Sequence, residues 1–310
     1  MTVAPETLRR DDDRNIHFRW DAALPPVRTI DSGREVVIET RSGEDDQFRP
    51  DSTPADVASM DMRRLHALSG PIFVRGAEPG DTLAVHILDV ATAEWGFTMQ
   101  RPAAGLLLGF PEYFRAYRLS NGYAELTDRI RVPLRPFLGV MGVAPASGVH
   151  STIPPGPHGG NLDCRDLVAG SVLYLPVFVS GALFSCGDGH AAQGDGEVCV
   201  TAIECAVTAR LRFNVLKQPL AAPRAETPDA YLTLGAAPTF EEAARDCLEA
   251  MLDLITERTG LQRADAYALA SAAVDLRINQ VVNRPMIGVR AVLPKAIVTS
   301  PSGRGRAQRG

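Results

Sequence analysis

The sequence predicts a mainly β fold over its first two thirds, followed by a smaller portion carrying two helices. Short apolar runs of strand length recur between turn signals up to about residue 237. The chain holds 27 glycines and 23 prolines in 310 residues, a share above the usual 12% or so, and turns are therefore frequent. One long stretch with helical periodicity and signals at both ends then follows, PTFEEAARDCLEAMLDLITERTG.

In chain order, the opening MTVAPETLRRDDDR is charged from residue 6 and lacks the apolar stretch and cleavage site of a signal peptide, so no export is expected. Strands are expected at 36–40, 72–75, 82–90, 130–132, 137–143, 171–179 and 198–216. Residues 167–187 run for 21 positions without a charge, long enough to cross a bilayer. Gly170, Pro176, Gly181 and three serines interrupt that run, and Ser180-Gly181 sits where a tight turn would split it. Two buried strands, leaving and returning across that turn, are the expectation. Thr239 caps the long helix, with Glu242 completing a capping box. Phe240, Ala244, Leu248, Met251, Leu252 and Ile255 form its apolar stripe, and Gly260 ends it. A second helix is expected from 263 to about 276. The chain then reads as a β-rich domain at 1–235 carrying the site, a C-terminal portion at 236–300 completing the same fold, and a flexible tail at 301–310.

Composition narrows the chemistry. Net charge is −5, from 32 Lys and Arg against 37 Asp and Glu, which excludes a basic nucleic-acid binder. Only Lys217 and Lys295 are lysines, so a lysine-based mechanism has few candidates. The five cysteines, Cys164, Cys186, Cys199, Cys205 and Cys247, form no CxxC pair, and their odd number points to a reducing, cytoplasmic compartment. His86 lies inside a strand and reads as an ordinary sheet histidine.

The densest polar stretches are PPGPHGGNLD at 154–163 and GDGHAAQGDGE at 187–197. The intervening strand pair would bring them together at one end of a sheet, with His158, Asn161, Asp163, Asp188, His190, Gln193, Asp195 and Glu197 converging on one pocket. Imidazole and carboxylate groups of this kind suit a divalent ion, zinc first and calcium second. Glycines 159, 160, 187, 189, 194 and 196 would let the loops adopt positive φ. No GxSxG elbow, phosphate loop or HExxH motif competes. Cys186 with His190 is an alternative nucleophile pair, although a small buried side chain at a strand end is the plainer reading.

These residues carry a resemblance. The run HGGNLDCRDLVAGSVLYLPVFVSGALFSCGDGHAAQGDGEVCVTAIE, residues 158–204, closely resembles the signature region of the acetamidase/formamidase family. HFRWDAALPPV (17–27), SGPIFVRGAEPGDTLAVHILDV (69–90), EWGFT (94–98), PFLGVMGVAPA (136–146) and DAYALASAAVDLRINQVVN (265–283) resemble it in the same order. Leu162, Cys164 and Cys186 depart from the family's usual residues. The resemblance implies jelly-roll-like and barrel-like β-sandwich parts, and a metal-binding homodimer or higher homo-oligomer hydrolysing small amides such as formamide or acetamide. It also matches His17, Trp20 and Asp21 to an N-terminal motif.

Amide hydrolysis needs a polarised carbonyl, an activated water and a proton for the departing nitrogen. On that basis His158, Asp163 and His190 are expected as metal ligands, Glu197 as base with Asp188 in reserve, and Asn161 or Gln193 as the contact to the substrate amide. Neither a nucleic acid nor a membrane is expected as partner. A non-catalytic ligand-binding sandwich with a structural ion and a Cys186-dependent amidase remain as alternatives.

Overall fold

Val207–Leu216 alternates inward and outward side chains, the period-two pattern of a strand with one face on a core. It pairs with Thr82–Thr92 along its whole length and lies within a nine-stranded sheet that begins at Glu6–Leu8 and ends at Asp275–Gln280. An eleven-stranded sheet faces it. Between them Val36, Leu83, Val85, Leu211 and Phe213 of the first sheet meet Ile72, Leu138, Met141, Phe184 and Cys186 of the second in one apolar core. The computed structural model describes residues 5–298; the tail expected at 301–310 lies outside the described residues. The chain is mainly β, as its turn-rich sequence predicts.

The uncharged run splits where Ser180-Gly181 predicts, into Val172–Pro176 and Phe184–Ala192. The two strands do not pair, however. Val172–Pro176 lies between Thr82–Thr92 and Arg224–Glu226 in the nine-stranded sheet. Phe184–Ala192 lies in the other sheet, against Phe137–Gly142 and Leu68–Arg75. The turn therefore carries the chain from one layer of the sandwich to the other. A run apolar on both faces allows this, because each strand is covered by the opposite layer.

The C-terminal helix Phe240–Thr259 has Thr239 accepting from the Glu242 amide and Gly260 ending it at φ 73°. Met251, Leu252 and Ile255 pack with Tyr231, Val289 and Leu293 in a second core. Gly235 sets how closely this helix approaches its sheet, since a Cβ there would lie 2.2 Å from the Ala243 carbonyl oxygen. The next helix, Arg263–Ala273, stops three residues short of the expected end because the strand Asp275–Gln280 begins there. That strand and Ile287–Pro294 close the nine-stranded sheet. No helix among the described residues is long and apolar enough to cross a membrane.

The N-terminal motif straps the second sheet. Ile16–His17 pairs with Leu68–Arg75, and His17 Nε2 lies 2.8 Å from Ser185 Oγ, with Nδ1 on the Arg19 carbonyl. Trp20 is 1% exposed and meets the His158 ring edge-on at 5.2 Å. Asp21 accepts from the Ala23 amide.

Burial pushes both His17 and His158 down to about 4, from an ordinary 6.5. Each is therefore neutral in the folded protein while the unfolded chain takes up its proton first. The stability they contribute is fully present above pH 6.5 and is lost as pH falls through that value toward 4. For His17 the loss is on the order of 3 kcal/mol. Urea denaturation of wild type and His17→Gln should show their stabilities drawing together by that amount between pH 7 and pH 4; a constant gap would contradict the assignment.

Candidate active site

A fork in the second sheet builds the site. One edge of Phe184–Ala192 pairs first with Leu68–Arg75, through Gly187↔Leu68, and then with Ile203–Glu204, from His190↔Glu204 onward. The change of partner falls at Asp188, whose φ of 57° is left-handed. On the other edge, the register with Phe137–Gly142 runs unbroken from Phe137↔His190 to Gly142↔Ser185, which sets Gly139 opposite Asp188. Asp163 and Glu197, at φ 44° and 47°, also stand in a region that residues other than glycine rarely adopt. Backbone of this kind persists where surrounding structure enforces it, characteristically at functional sites.

Asp163, Asp188, His190, Glu197 and Glu204 are all at most 6% exposed. His190 Nε2 lies 3.2 Å from Glu204 Oε2, 3.4 Å from Asp188 Oδ2 and 3.9 Å from Glu197 Oε1. Nδ1 is committed elsewhere, 2.9 Å from Gln193 Oε1. Gln193 Nε2 donates to the carbonyls of Asp163 and Asn279, which fixes the amide's orientation. Its oxygen can only accept, so Nδ1 carries a proton in either charge state of the ring, and Nε2 faces the carboxylates. Asn283 Nδ2 donates to Asp163 Oδ2 at 2.5 Å. Glu44, 3% exposed, completes the acidic group.

The electrostatics follow from so much acid out of water. Burial raises Asp163 to about 7, with Asp188 and Glu204 adding to the rise against the pull of His190. Burial, with neighbouring acids, raises Glu44 and Glu197 well above the carboxylate range. Burial alone would raise Asp188 too, but the His190 and His66 rings bring it down to about 2. His190 is the converse: burial disfavours its charge, and Glu204 and Asp188 nevertheless hold it charged well above its ordinary range.

Five buried polar atoms of this cluster have no hydrogen-bond partner: Glu44 Oε2, Asn161 Oδ1, Asp163 Oδ1, His190 Nε2 and Glu204 Oε2. Two groups could hold a metal ion, Asp163–His190–Glu197 and Asp188–His190–Glu204. Tetrahedral zinc ligands at about 2.0–2.1 Å from the ion stand roughly 3.3 Å from one another. The distances from Nε2 to Asp188 and Glu204 match that spacing. The donor set therefore fits a divalent ion. Above it opens a cavity of about 440 Å³ whose walls include Leu65, His66, Ile153, Val200 and Val282.

A family model described as the Acetamidase/Formamidase family matches residues 2–151 and 146–300. The chain belongs to the acetamidase/formamidase family. It is 34% identical to a crystallised acetamidase from Bacillus halodurans, with a TM-score of 0.87 over 91% of this chain and 96% of that one. An acetamidase from Yersinia enterocolitica superposes with a TM-score of 0.91 at 28% identity, over 97% and 94%. A formamidase from Methylophilus methylotrophus is 32% identical over 269 residues, spanning 67% of this chain and 65% of that protein. This member is accordingly an amide hydrolase.

The structure gathers Asn161, Asp163, Asp188, His190, Gln193 and Glu197, but by a different route from the one expected. Gly159–Asn161 is itself a strand paired with Phe137–Gly142, and Asp188 and His190 lie inside a strand. Sheet pairing through Phe137–Gly142, rather than a hairpin, brings the two stretches together. Of the glycines expected at positive φ, 159, 160 and 196 are so and 187, 189 and 194 are not. A Cβ at Gly189 would instead lie 2.6 Å from the Cys205 carbonyl oxygen.

His158, expected as a metal ligand, is not brought to the cluster. It lies in the turn before Gly159–Asn161, where its carbonyl accepts from the Val143 amide and its ring packs against Trp20 and His150. Gln193 spends its amide on His190 and two carbonyls, leaving none for a substrate. Asp195 binds Arg290 at 2.7 Å, outside the cluster. Sequence reasoning missed Glu44, His66, Glu204 and Asn283, which stand singly in separate elements. Only the resemblance at 158–204 and 265–283 touched two of them.

Gly139 keeps the floor of the site open. A Cβ there would stand 2.7 Å from both Asp163 Oδ1 and Asp188 Oδ2, and 2.8 Å from His190 Cε1. Gly139→Ala should displace all three and lower kcat/KM by about a hundredfold or more, while circular dichroism remains that of the folded protein. Near-native turnover would show that these side chains do not need their present positions.

Proposed function

We propose that the chain is a metal-dependent hydrolase of linear amides, converting amide and water to carboxylate and ammonium. Support comes from one observation above the rest: within a pocket of an acetamidase/formamidase family member, the buried ligand atoms of a histidine and its carboxylate neighbours lack hydrogen-bond partners and face one another. Carboxylates buried at this density are costly to ionise together, and a cation relieves that cost.

Asp188, His190 and Glu204 would hold the ion, with Asp163 beside them. Gln193 keeps His190 in the tautomer that presents Nε2, the usual task of an outer partner to a metal-binding histidine. Zinc is the first candidate, given the imidazole ligand and the close spacing; calcium, which prefers an all-oxygen shell, is second. When bound, the ion supplies Lewis acidity and lowers the pKa of water toward about 7.

The chain's own groups do the rest. Asn161 donates Nδ2 to the Ile153 carbonyl at 3.1 Å, leaving Oδ1 buried and unpartnered. That oxygen is placed to accept an N–H of the substrate amide. Glu197 lines the pocket, and burial gives it a raised affinity for protons. This suits a group that takes a proton from water and returns it to the departing nitrogen. Cys186 is fully buried in the apolar core, and burial drives its thiol far from the thiolate form, which argues against a cysteine nucleophile.

Chelation should abolish ammonia release from acetamide or formamide, and one added divalent ion should restore it; unchanged turnover by metal-free protein, verified by elemental analysis, would remove the ion from the reaction. Glu197→Gln should retain metal while losing about 10² to 10⁴ in kcat. A near-native rate in that variant would place the proton transfer on another residue.

A further inference from the structure

The cavity is much larger than formamide or acetamide requires. At about 440 Å³ it falls within the range of about 300–1,000 Å³ typical of pockets for far bigger ligands. Its lining is also divided by chemistry. Acids occupy one part, while Leu65, Met99, Leu106 and Ile153 form apolar wall. Arg101 and Arg284 line it as well.

These two arginines have no carboxylate partner among the described residues. Arg101 Nη1 donates to the Met62 sulfur at 2.8 Å, and its Nε is buried without any partner. A thioether is a weak acceptor, and the guanidinium fork matches a carboxylate far better. Arg290 and Arg41 show the usual arrangement: Arg290 holds Asp166 and Asp195, and Arg41 holds Asp45. Arg101, by contrast, faces the pocket with only a sulfur as partner.

We propose that the pocket takes amides carrying a carboxylate at the far end of a short carbon chain, that is, half-amides of dicarboxylic acids. This rests on the hydrolytic reading above and adds its substrate class. The amide end lies at the acidic cluster, the methylene chain against the apolar wall, and the carboxylate on Arg101, with Arg284 as a second cation. In the reaction water oxygen bonds to the carbonyl carbon, the C–N bond breaks, and the nitrogen leaves as ammonium. The products are a dicarboxylate and ammonium.

Ammonia release from glutaramate, compared with the neutral diamide glutaramide, tests this. In wild type kcat/KM should favour glutaramate by about ten- to a hundredfold, mostly through KM. The ratio should fall toward one in Arg101→Met and decrease in Arg284→Met. No preference for glutaramate in wild type, or a preference surviving both substitutions, overturns the proposal. Calorimetry of glutarate with chelator-treated protein separates this proposal from the hydrolytic one. Binding weakened by Arg101→Met, in a protein that hydrolyses no amide, would support the carboxylate site and sink the hydrolytic reading. Turnover of both amides without arginine-dependent glutarate binding would do the reverse.

Discussion

Five carboxylates, Glu44, Asp163, Asp188, Glu197 and Glu204, are taken out of water around one imidazole, and the surrounding structure answers that concentration of charge. Like charges held this close cannot all stay ionised without a cation or shared protons. The fold opposes their separation at several points. Gln193 holds His190, Asn283 holds Asp163, and the Ala202 amide donates to Glu204 at 2.8 Å. Left-handed backbone at Asp163, Asp188 and Glu197 aims three of the acids inward. Such an arrangement gains nothing for stability alone and fits a protein whose site is made to receive positive charge.

The C-terminal portion belongs to this site structurally. Arg290, 1% exposed, donates to Asp166, Asp195, the Asn279 side chain and the Ile278 carbonyl. It thereby ties the last strand pair to the segments on either side of the cluster, 163–166 and 193–197. Asn279 and Asn283 follow on the same hairpin and touch Gln193 and Asp163. Because removing one member of a buried charged network strands the others, the hairpin that spans Asp275–Gln280 and Ile287–Pro294 helps hold the floor of the acidic cluster in place.

What the sequence made legible was local. Thr239, Glu242 and Gly260 announce a helix through interactions within a few residues, and Ser180-Gly181 announces a turn the same way. The stretches 154–163 and 187–197 stand out because several site residues are consecutive there. Which strands pair is not a local property, so the crossing from one sheet to the other was invisible, and the two strands read as a hairpin. Glu44, His66 and Glu204 are single polar residues in ordinary surroundings, and only the fold shows that they meet. His158 misleads for the opposite reason: a histidine two residues from Gly160 and five from Asp163 looks like a ligand, yet its ring faces Trp20.

The fork at Asp188 also bears on motion. One strand carries hydrogen bonds to Phe137–Gly142, Leu68–Arg75 and Ile203–Glu204 at once, so the floor of the acidic cluster shares its ladder with both halves of its sheet. It has no separable unit of its own to open by fraying. Amide protons along that strand should exchange only through the largest, whole-molecule openings.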